Sequence, residues 1–387
     1  MSGGTGKNEL SIKEIRAKKC LENLCLANET QLSYNFFNII NLYAIFMNDP
    51  IDIKTKKNYL EKNRKIFDKT LVYELLEYEI MNSWDSWGKF QQQWCNNAFN
   101  TFKDYDKYLL MIYLFRQVMQ SLADKFQSFS MDEFYEQDGF IIDKINLIQI
   151  SEELKIPKET IRRKVNEFQD MGLLRREGKQ IILNKSVIEY QIPKQSINLL
   201  SIFIQKQAEI LKGKVFFGES VAKEEIKLHF EKYYSVFWLR FYKLQIPFLT
   251  KWREEFIDLE TWNVWGVVAL NHQYNLKKLH DKNIFKDNKK INVNNFYLNT
   301  VRAKVGHGIN ASSISDISGI PRATVIRKLK WINKQQLIKK NKELEYLMDP
   351  KGKKNKKINK LFMENRGHVT SFVTDVLELI KNSRFTI

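Results

Sequence analysis

Two short segments of this 387-residue chain place basic and polar side chains at the same spacing. Residues 156–163 read IPKETIRR, and residues 320–327 read IPRATVIR. In both, a proline suits the first position of a helix, and most of the charged residues fall on the face opposite the apolar ones. Arginine and lysine donate hydrogen bonds to phosphate oxygens and to base edges in the major groove. The chemistry that these residues could perform is therefore recognition of a polyanion.

The two segments belong to an internal repeat. Residues 150–183 align with residues 314–347 at a constant offset of 164 and without a gap, and nine of the 34 aligned positions are identical. Self-similarity at a fixed offset favours an internal duplication.

Each copy follows the same order of predicted elements. A short helix, with Ser151 or Ser315 placed as its N-cap, breaks at Lys155 or Gly319 and leads into a second, amphipathic helix. A β-hairpin with basic residues follows in each copy. Helix, turn, basic helix and basic hairpin is the plan of a winged helix-turn-helix, whose second helix enters the major groove of DNA. The apolar residues that we expect to bury this second helix are Ile161, Val165 and Phe168 in the first copy and Val325, Leu329 and Ile332 in the second.

The first copy resembles the DNA-binding domain of catabolite-activator-type transcription regulators in two stretches, residues 156–163 and residues 178–182. The resemblance implies that the side chains of Lys158, Glu159 and Arg163 face base edges and that Thr160 holds a phosphate. The second copy departs from the pattern at Ala323, where the family has a glutamate, and it lacks the glycine of the hairpin turn. No family is recognised for the whole chain, and the cyclic-nucleotide-binding β-barrel of those regulators is not evident in the sequence.

The repeat and the resemblance together predict three groups of contacts with double-stranded DNA. The predicted base-reading residues are Lys158, Glu159, Arg163, Arg322 and Arg327. The predicted contacts with the DNA backbone are Thr160, Arg162, Lys164, Thr324 and Lys328. The predicted hairpin contacts, with flanking phosphates or the minor groove, are Arg175, Arg176, Lys179, Lys339, Lys340 and Lys342.

The rest of the chain predicts helices rich in aromatic residues, one such region before each copy, so the expected fold is mainly α. The Trp94/Trp252 correspondence suggests that these helical regions were duplicated as well. A run of lysines over residues 349–360 predicts a flexible basic linker, followed by a final helix at about Thr370–Asn382. The predicted domains are helical residues 12–130, a first winged helix at 131–190, helical residues 195–290, a second winged helix at 291–349, and the linker and final helix at 350–387.

Composition sets wider limits. The chain has 63 Lys and Arg against 45 Asp and Glu, which gives a formal net charge of +18. This charge favours a polyanionic partner. A bias toward Lys, Asn and Ile also arises in AT-rich genomes, so the charge alone does not establish such a partner. The longest apolar run, residues 108–115, is too short for a membrane span, and the three cysteines and five histidines form no metal-binding pattern. No nucleophile and base are spaced for catalysis. We expect a cytoplasmic protein that is not an enzyme, uses no cofactor or metal and has no membrane partner.

The leading hypothesis is a sequence-specific DNA-binding protein, a transcriptional regulator whose two recognition helices read two half-sites. One alternative is a replication initiator of plasmid or phage type, which also carries tandem winged helices and binds repeated origin sites. Another is an adaptor whose winged helices contact proteins. Whether the second copy binds DNA, whether the chain forms a homo-oligomer, and whether a small-molecule or protein effector acts on it all stay open.

Overall fold

The computed structural model describes residues 69–78, 80–143, 145–189, 193–212, 221–281 and 296–384. The part of the predicted first domain that precedes residue 69 lies outside the described residues. As expected, the fold is mainly helical, with two small antiparallel sheets. Its helices are α1 (Lys69–Tyr78), α2 (Ile80–Phe102), α3 (Tyr105–Asp124), α4 (Met131–Tyr135), α5 (Leu147–Leu154), α6 (Lys158–Asp170), α7 (Lys185–Glu189), α8 (Pro193–Leu211), α9 (Lys223–Lys232), α10 (Tyr234–Phe256), α11 (Leu259–Asp281), α12 (Phe296–Arg302), α13 (Ala311–Ser318), α14 (Arg322–Lys334) and α15 (Asn355–Arg384). Its strands are β1 (Gly139–Ile142), β2 (Leu174–Glu177), β3 (Gln180–Asn184), β4 (Ile338–Lys340) and β5 (Tyr346–Met348).

Helices α2, α3, α10 and α11 form the centre of the core. Helix α3 packs on α10 and α2 packs on α11, so the two predicted helical domains share one core rather than standing apart. The apolar run at residues 108–115 of α3 explains this shared core. Every residue of the run is buried, and a helix that is apolar all round must be covered on all sides. The domain boundaries predicted from the sequence between residues 130 and 195 therefore do not separate independent cores.

Residues of α2 and α10 exchange contacts reciprocally. The side-chain amides of Gln91 and Gln245 each donate to the other, at 2.7 and 3.0 Å. The ring centroids of Trp87 and Phe248 lie 5.3 Å apart, and those of Trp94 and Phe241 lie 4.7 Å apart. At an offset of 154, Gln91 corresponds to Gln245, Trp87 to Phe241 and Trp94 to Phe248, so each ring contact is the counterpart of the other. Both helices have 23 residues. A twofold axis generates contacts of this kind, in which one residue of the first helix meets the counterpart of a second residue, and that second residue meets the counterpart of the first.

The two sheets lie beside the helix pairs α5–α6 and α13–α14. The first has the strand order β1-β3-β2, with Ile142 opposite Ile181 and Leu174 opposite Leu183. The second consists of β4 and β5. An isolated bridge from Ile309 to β5 takes the place that a third strand occupies in the first sheet.

The predicted basic linker at 350–360 is wrong over its second half. Helix α15 begins at Asn355 and runs for 30 residues, well before the expected start at Thr370. Its apolar spacing continues through this lysine-rich segment, because Ile358 and Phe362 are buried. The buried carboxylate of Glu255 also forms an ion pair with the ammonium of Lys357, at 2.5 Å. Burial and charge pairing together keep this segment helical.

Candidate nucleic-acid interface

The segment predicted as the first helix-turn-helix folds into the helix pair α5 and α6. Asn146, whose side chain accepts from the amide of Ile148 at 2.9 Å, caps α5. The prediction of Ser151 as the N-cap is therefore wrong, because a competent cap and an apolar face already exist one turn earlier. Instead, the Ser151 hydroxyl lies within α5 and donates to the carbonyl of Ile156 at 2.6 Å, across the turn. Lys155 ends the helix with a positive φ of 55°, and Pro157 precedes α6.

The helix pair α13 and α14, in the segment predicted as the second helix-turn-helix, has the same turn geometry as α5 and α6. The hydroxyl of Ser315, also expected as an N-cap, donates to the carbonyl of Ile320 at 2.7 Å. Asn310 provides the cap, and Gly319 takes the positive φ. The φ and ψ of Pro321, −53° and 135°, match the −54° and 136° of Pro157. The repeat seen in the sequence is therefore also a repeat of backbone and hydrogen-bond geometry.

Both second helices bury the apolar stripe that the sequence predicts. Each stripe faces the helix core of its own half, α6 against α3 and α14 against α11. The confirmed buried residues are Ile161, Val165, Phe168, Val325, Leu329 and Ile332.

The opposite face of α6 is exposed and charged. Lys158, Glu159, Arg162 and Arg163 are exposed, and Thr160 is half-buried. Two exposed ion pairs run along this face, Glu159 with Arg162 at 2.8 Å and Arg163 with Glu167 at 3.7 Å. Exposed pairs of this kind contribute little to stability, so the arginines can exchange these partners for an external anion at small cost.

The corresponding face of α14 has fewer charges and no acidic residue. Arg322 and Arg327 are exposed and Thr324 is half-buried, in the positions that correspond to Lys158, Arg163 and Thr160. The guanidinium of Arg322 donates to the hydroxyl of Ser312 at 3.0 Å, which joins α14 to α13.

Lys164 and Lys328 do not belong to this surface, in contrast to their predicted role as backbone contacts. Lys164 is only 7% exposed, and its ammonium lies 2.6 Å from the carboxylate of Asp104. Lys328 pairs in the same way with Asp258, and its ammonium is 3.4 Å from Glu260. A buried lysine with a carboxylate partner inside the protein is not free to neutralise a phosphate.

These ion pairs connect each basic helix to the start of a core helix. Asp104 accepts from two amides at the start of α3, and Asp258 accepts from the amide of Thr261 at the start of α11. Burial alone would raise the pKa of Asp104, but the hydrogen bond and charge of Lys164 outweigh it and hold that pKa below its ordinary value. The same pair raises the pKa of Lys164 against the opposing effect of burial.

The hairpins carry the third group of predicted contacts at their exposed edges. In the first hairpin, Gly178 supplies a positive φ of 61° at the tight turn, and Arg175 pairs with Glu177 at 3.0 Å. In the second, Lys340 lies over the ring of Tyr346 at 5.7 Å. The exposed basic residues of the two hairpins are Arg175, Arg176, Lys179, Lys339, Lys340 and Lys342.

Sequence reasoning missed the residues that support the turns from the other half of the chain. Arg253, on α10, donates to the carbonyl of Lys155 and pairs with Asp106 at 3.1 Å. Asn96, on α2, donates to the carbonyl of Ile317 in α13 at 2.5 Å. Each of the two helix pairs thus contacts a long helix of the opposite half, and no periodicity in the sequence indicates such crossed contacts.

The described residues provide no sign of a metal centre or a membrane span. Among them, no group of three or more His, Cys, Asp or Glu side chains is arranged to hold a metal ion. None of the helices in this part of the chain combines the length and apolar character that crossing a membrane requires. Comparisons of the chain with protein-family models, curated proteins and solved structures find no match.

Proposed function

We propose that this chain is a sequence-specific double-stranded DNA-binding protein, a transcriptional regulator in which two winged helix-turn-helix units read two half-sites. The main support for the proposal is that the turn between α5 and α6 has the same geometry as the turn between α13 and α14. Ser151 and Ser315 make the same hydrogen bond, and each turn leads into a helix with one buried apolar face and one exposed basic face. A scaffold that holds a basic helix in this way is typical of proteins that place it in the major groove.

The strands support the winged form of this motif. In the first unit a three-stranded antiparallel sheet follows the chain order β1, α5, α6, β2, β3, and its hairpin projects Arg175 and Arg176 into solvent. In the second unit the first strand is reduced to the bridge at Ile309. Basic residues at the hairpin edges would then contact the phosphates that flank each half-site.

The reciprocal contacts support an internal duplication that includes the long helices. The equivalent features at an offset of 154 are the 23-residue helices, a positive φ at Lys103 and Ile257, and the N-cap aspartates Asp104 and Asp258. A local twofold axis at the Gln91–Gln245 pair would relate the two basic helices as in a dimeric regulator. The half-sites should then form an inverted repeat, with centres about 34 Å apart or a multiple of that distance.

Two predicted DNA contacts, Lys164 and Lys328, are left out of the proposal because their ammonium groups pair with carboxylates of the protein. Lys158, Glu159 and Arg163 read bases in one half-site, and Arg322 and Arg327 read bases in the other. The half-buried hydroxyls of Thr160 and Thr324, together with Arg162, bind backbone phosphates. The hairpin residues named above contact flanking phosphates, whereas Lys164 and Lys328 hold the helices in place.

The test is selection of binding sites from random duplex DNA, followed by salt titrations of the enriched site with wild-type protein, Arg163→Ala and Arg327→Ala. Each substitution should cost about 1–3 kcal/mol on the enriched site and relax specificity in one half-site only. Lys227→Ala removes the same charge from α9, which belongs to neither basic helix and neither hairpin, and should leave specificity unchanged.

Each result has a distinct meaning. An inverted repeat whose two halves respond separately to the two arginine variants supports the regulator. Tandem direct repeats with local duplex opening would point to a replication initiator instead. Weak binding that is indifferent to sequence and to both variants would overturn the proposal and favour a protein-binding role for the two units.

A further inference from the structure

A cavity of about 100 Å³ lies in the core between α2, α10, α11 and α12. Its walls are mostly aromatic, with Trp84, Trp87, Trp252, Trp262 and Trp265 among them. Its volume is of the same order as the ~150 Å³ cavity that admits benzene in a well-packed protein. The half-buried Ala269 lies on its border and marks an edge that reaches the surface.

Several lining residues bury polar atoms that have no hydrogen-bond partner among the described residues. These residues are all at least nine-tenths buried. The unpaired atoms are the indole Nε1 of Trp87, Trp252 and Trp265, the Nδ1 of His272 and the amide Nε2 of Gln273. Leaving a buried polar group unpaired costs about 1–3 kcal/mol, so a cluster of them around one cavity calls for an explanation.

His272 adds an acceptor to these donors. Its Nε2 lies 2.8 Å from the carbonyl oxygen of Thr300 and must donate to it. Burial lowers the pKa of His272, which keeps the ring neutral and leaves Nδ1 as an unprotonated acceptor. The cavity thus presents N–H donors and one acceptor within an aromatic box.

Three of these positions have described counterparts in the other half of the chain, and those counterparts are apolar. At the offset of 154, Trp265, His272 and Gln273 correspond to Met111, Val118 and Met119. These three residues are all buried in an apolar environment. Helix packing in this fold therefore does not require a histidine and an amide at these positions, and the polar groups of the second half need another reason.

We infer that this cavity binds a small uncharged aromatic ring compound that carries a hydroxyl or carbonyl group. The ring would pack against the tryptophans, and its polar group would accept from the indole and amide N–H groups and, for a hydroxyl, donate to His272. A charged ligand fits poorly, because no charged side chain lines the cavity in the described part of the chain.

The position of the cavity connects it to the second basic hairpin. Met348, on β5, lines the cavity and lies opposite Ile338 in the register with β4. Strand β4 carries the exposed Lys339 and Lys340. The carbonyl of Thr300 on α12 is bound by His272, so both α12 and β5 border the ligand. Resting on the proposed function, we infer that the ligand acts as an effector that changes DNA affinity through this hairpin.

The first experiment measures binding of phenol, as the probe, by tryptophan fluorescence and by thermal unfolding of the full chain. Phenol should change the fluorescence saturably and raise the Tm. Gln273→Met removes an unpaired amide with little change in volume, so it should raise the Tm of the ligand-free protein yet weaken phenol binding about tenfold. Ala269→Leu should block phenol binding by filling the cavity edge.

The control is Trp238→Phe, which removes another buried unpaired indole N–H that lies outside the cavity. It should leave the phenol affinity unchanged. Phenol binding that survives both Ala269→Leu and Gln273→Met would mean that phenol binds elsewhere, and either that result or no saturable binding in wild-type protein would overturn the inference.

Measuring DNA affinity with and without phenol tests this inference separately from the proposed function. Saturating phenol should change the Kd for the selected DNA site in wild-type protein and have no effect in Ala269→Leu. If the protein binds phenol but no DNA, the site stands and the proposed function fails. If it binds DNA with the same Kd at every phenol concentration, the regulatory role of the cavity is wrong.

Discussion

At the scale of single residues, the ion pairs of Lys164 and Lys328 explain how the basic helices keep a fixed orientation. Each lysine reaches back from its helix to an aspartate that also caps a core helix. One carboxylate therefore satisfies the orphan amides of the core helix and the buried ammonium of the basic helix. An external anion would have to break this arrangement before it could bind either lysine, which is why these two cations differ from their exposed neighbours.

Asp104→Asn tests this role, because asparagine caps helices as well as aspartate does and only the charge is lost. We expect a loss of about 1–3 kcal/mol in the free energy of unfolding, since the buried Lys164 ammonium loses its nearest carboxylate and keeps only that of Glu167, at 3.3 Å. The loss should be much smaller in a Lys164→Met background. Lys227→Met, which breaks the exposed pair with Glu231, should cost less than about 0.5 kcal/mol. Equal losses in both Lys164 backgrounds, measured by urea unfolding, would refute the coupling.

The pH dependence of this pair has a definite sign. The pKa of Asp104 is lower in the folded protein than its ordinary value of 3.8, so the unfolded chain takes up the proton first as the pH falls. The stabilisation is therefore fully present above pH 3.8 and is lost as the pH falls through the lower folded pKa. The difference in unfolding free energy between wild type and Asp104→Asn should shrink over that range, and a difference that is constant with pH would contradict the assignment.

At the scale of elements, the sequence was informative wherever a pattern was local. The turn at Pro157 and Pro321, the buried stripes of α6 and α14 and the first hairpin all follow from propensity and apolar spacing. The N-cap of α5 was misplaced because serine suits a cap as well as a turn, and Asn146 provides the competing cap. The start of α15 was missed because a lysine run looks like a solvated linker until Glu255 is known to lie beside it.

The turns themselves offer an element-scale prediction, because one copy uses glycine and the other lysine for the same positive φ. Lys155→Gly should stabilise the protein by about 0.5–1 kcal/mol, since a side chain in the left-handed region is strained. Gly319→Ala should destabilise it, because the added Cβ would also lie 2.8 Å from Asn100. Thermal unfolding of both variants checks the pair. A lower Tm for Lys155→Gly would mean that the lysine side chain itself stabilises the turn.

At the scale of the whole molecule, the two halves are joined by contacts that no window of sequence shows. The long helices correspond at an offset of 154, whereas the repeated segments 150–183 and 314–347 correspond at 164. A single gapless alignment therefore finds only the repeated segments. The expected Trp94–Trp252 correspondence fails for this reason, since position 94 falls on Phe248. Crossed packing of α3 on α10 and α2 on α11 then merges two predicted domains into one core. The candidate DNA surface could be read from local sequence, but the relation between its two parts could not.

The Gln91–Gln245 pair allows a direct test of how the two basic helices are placed relative to each other. Gln91→Leu or Gln245→Leu alone leaves one buried amide unpaired and should cost about 1–3 kcal/mol, whereas the double variant removes both amides and should cost less than the sum. Gln207→Leu, combined with Gln91→Leu, is a matched control, because Gln207 bonds to Ser83 and Ser86 and not to the pair, so its effect should add. Additive losses in the Gln91/Gln245 cycle would mean that the two amides do not depend on one another. A double variant that keeps its fold yet binds an inverted repeat more weakly, with unchanged affinity for a single half-site, would show that this contact sets the spacing of the two basic helices.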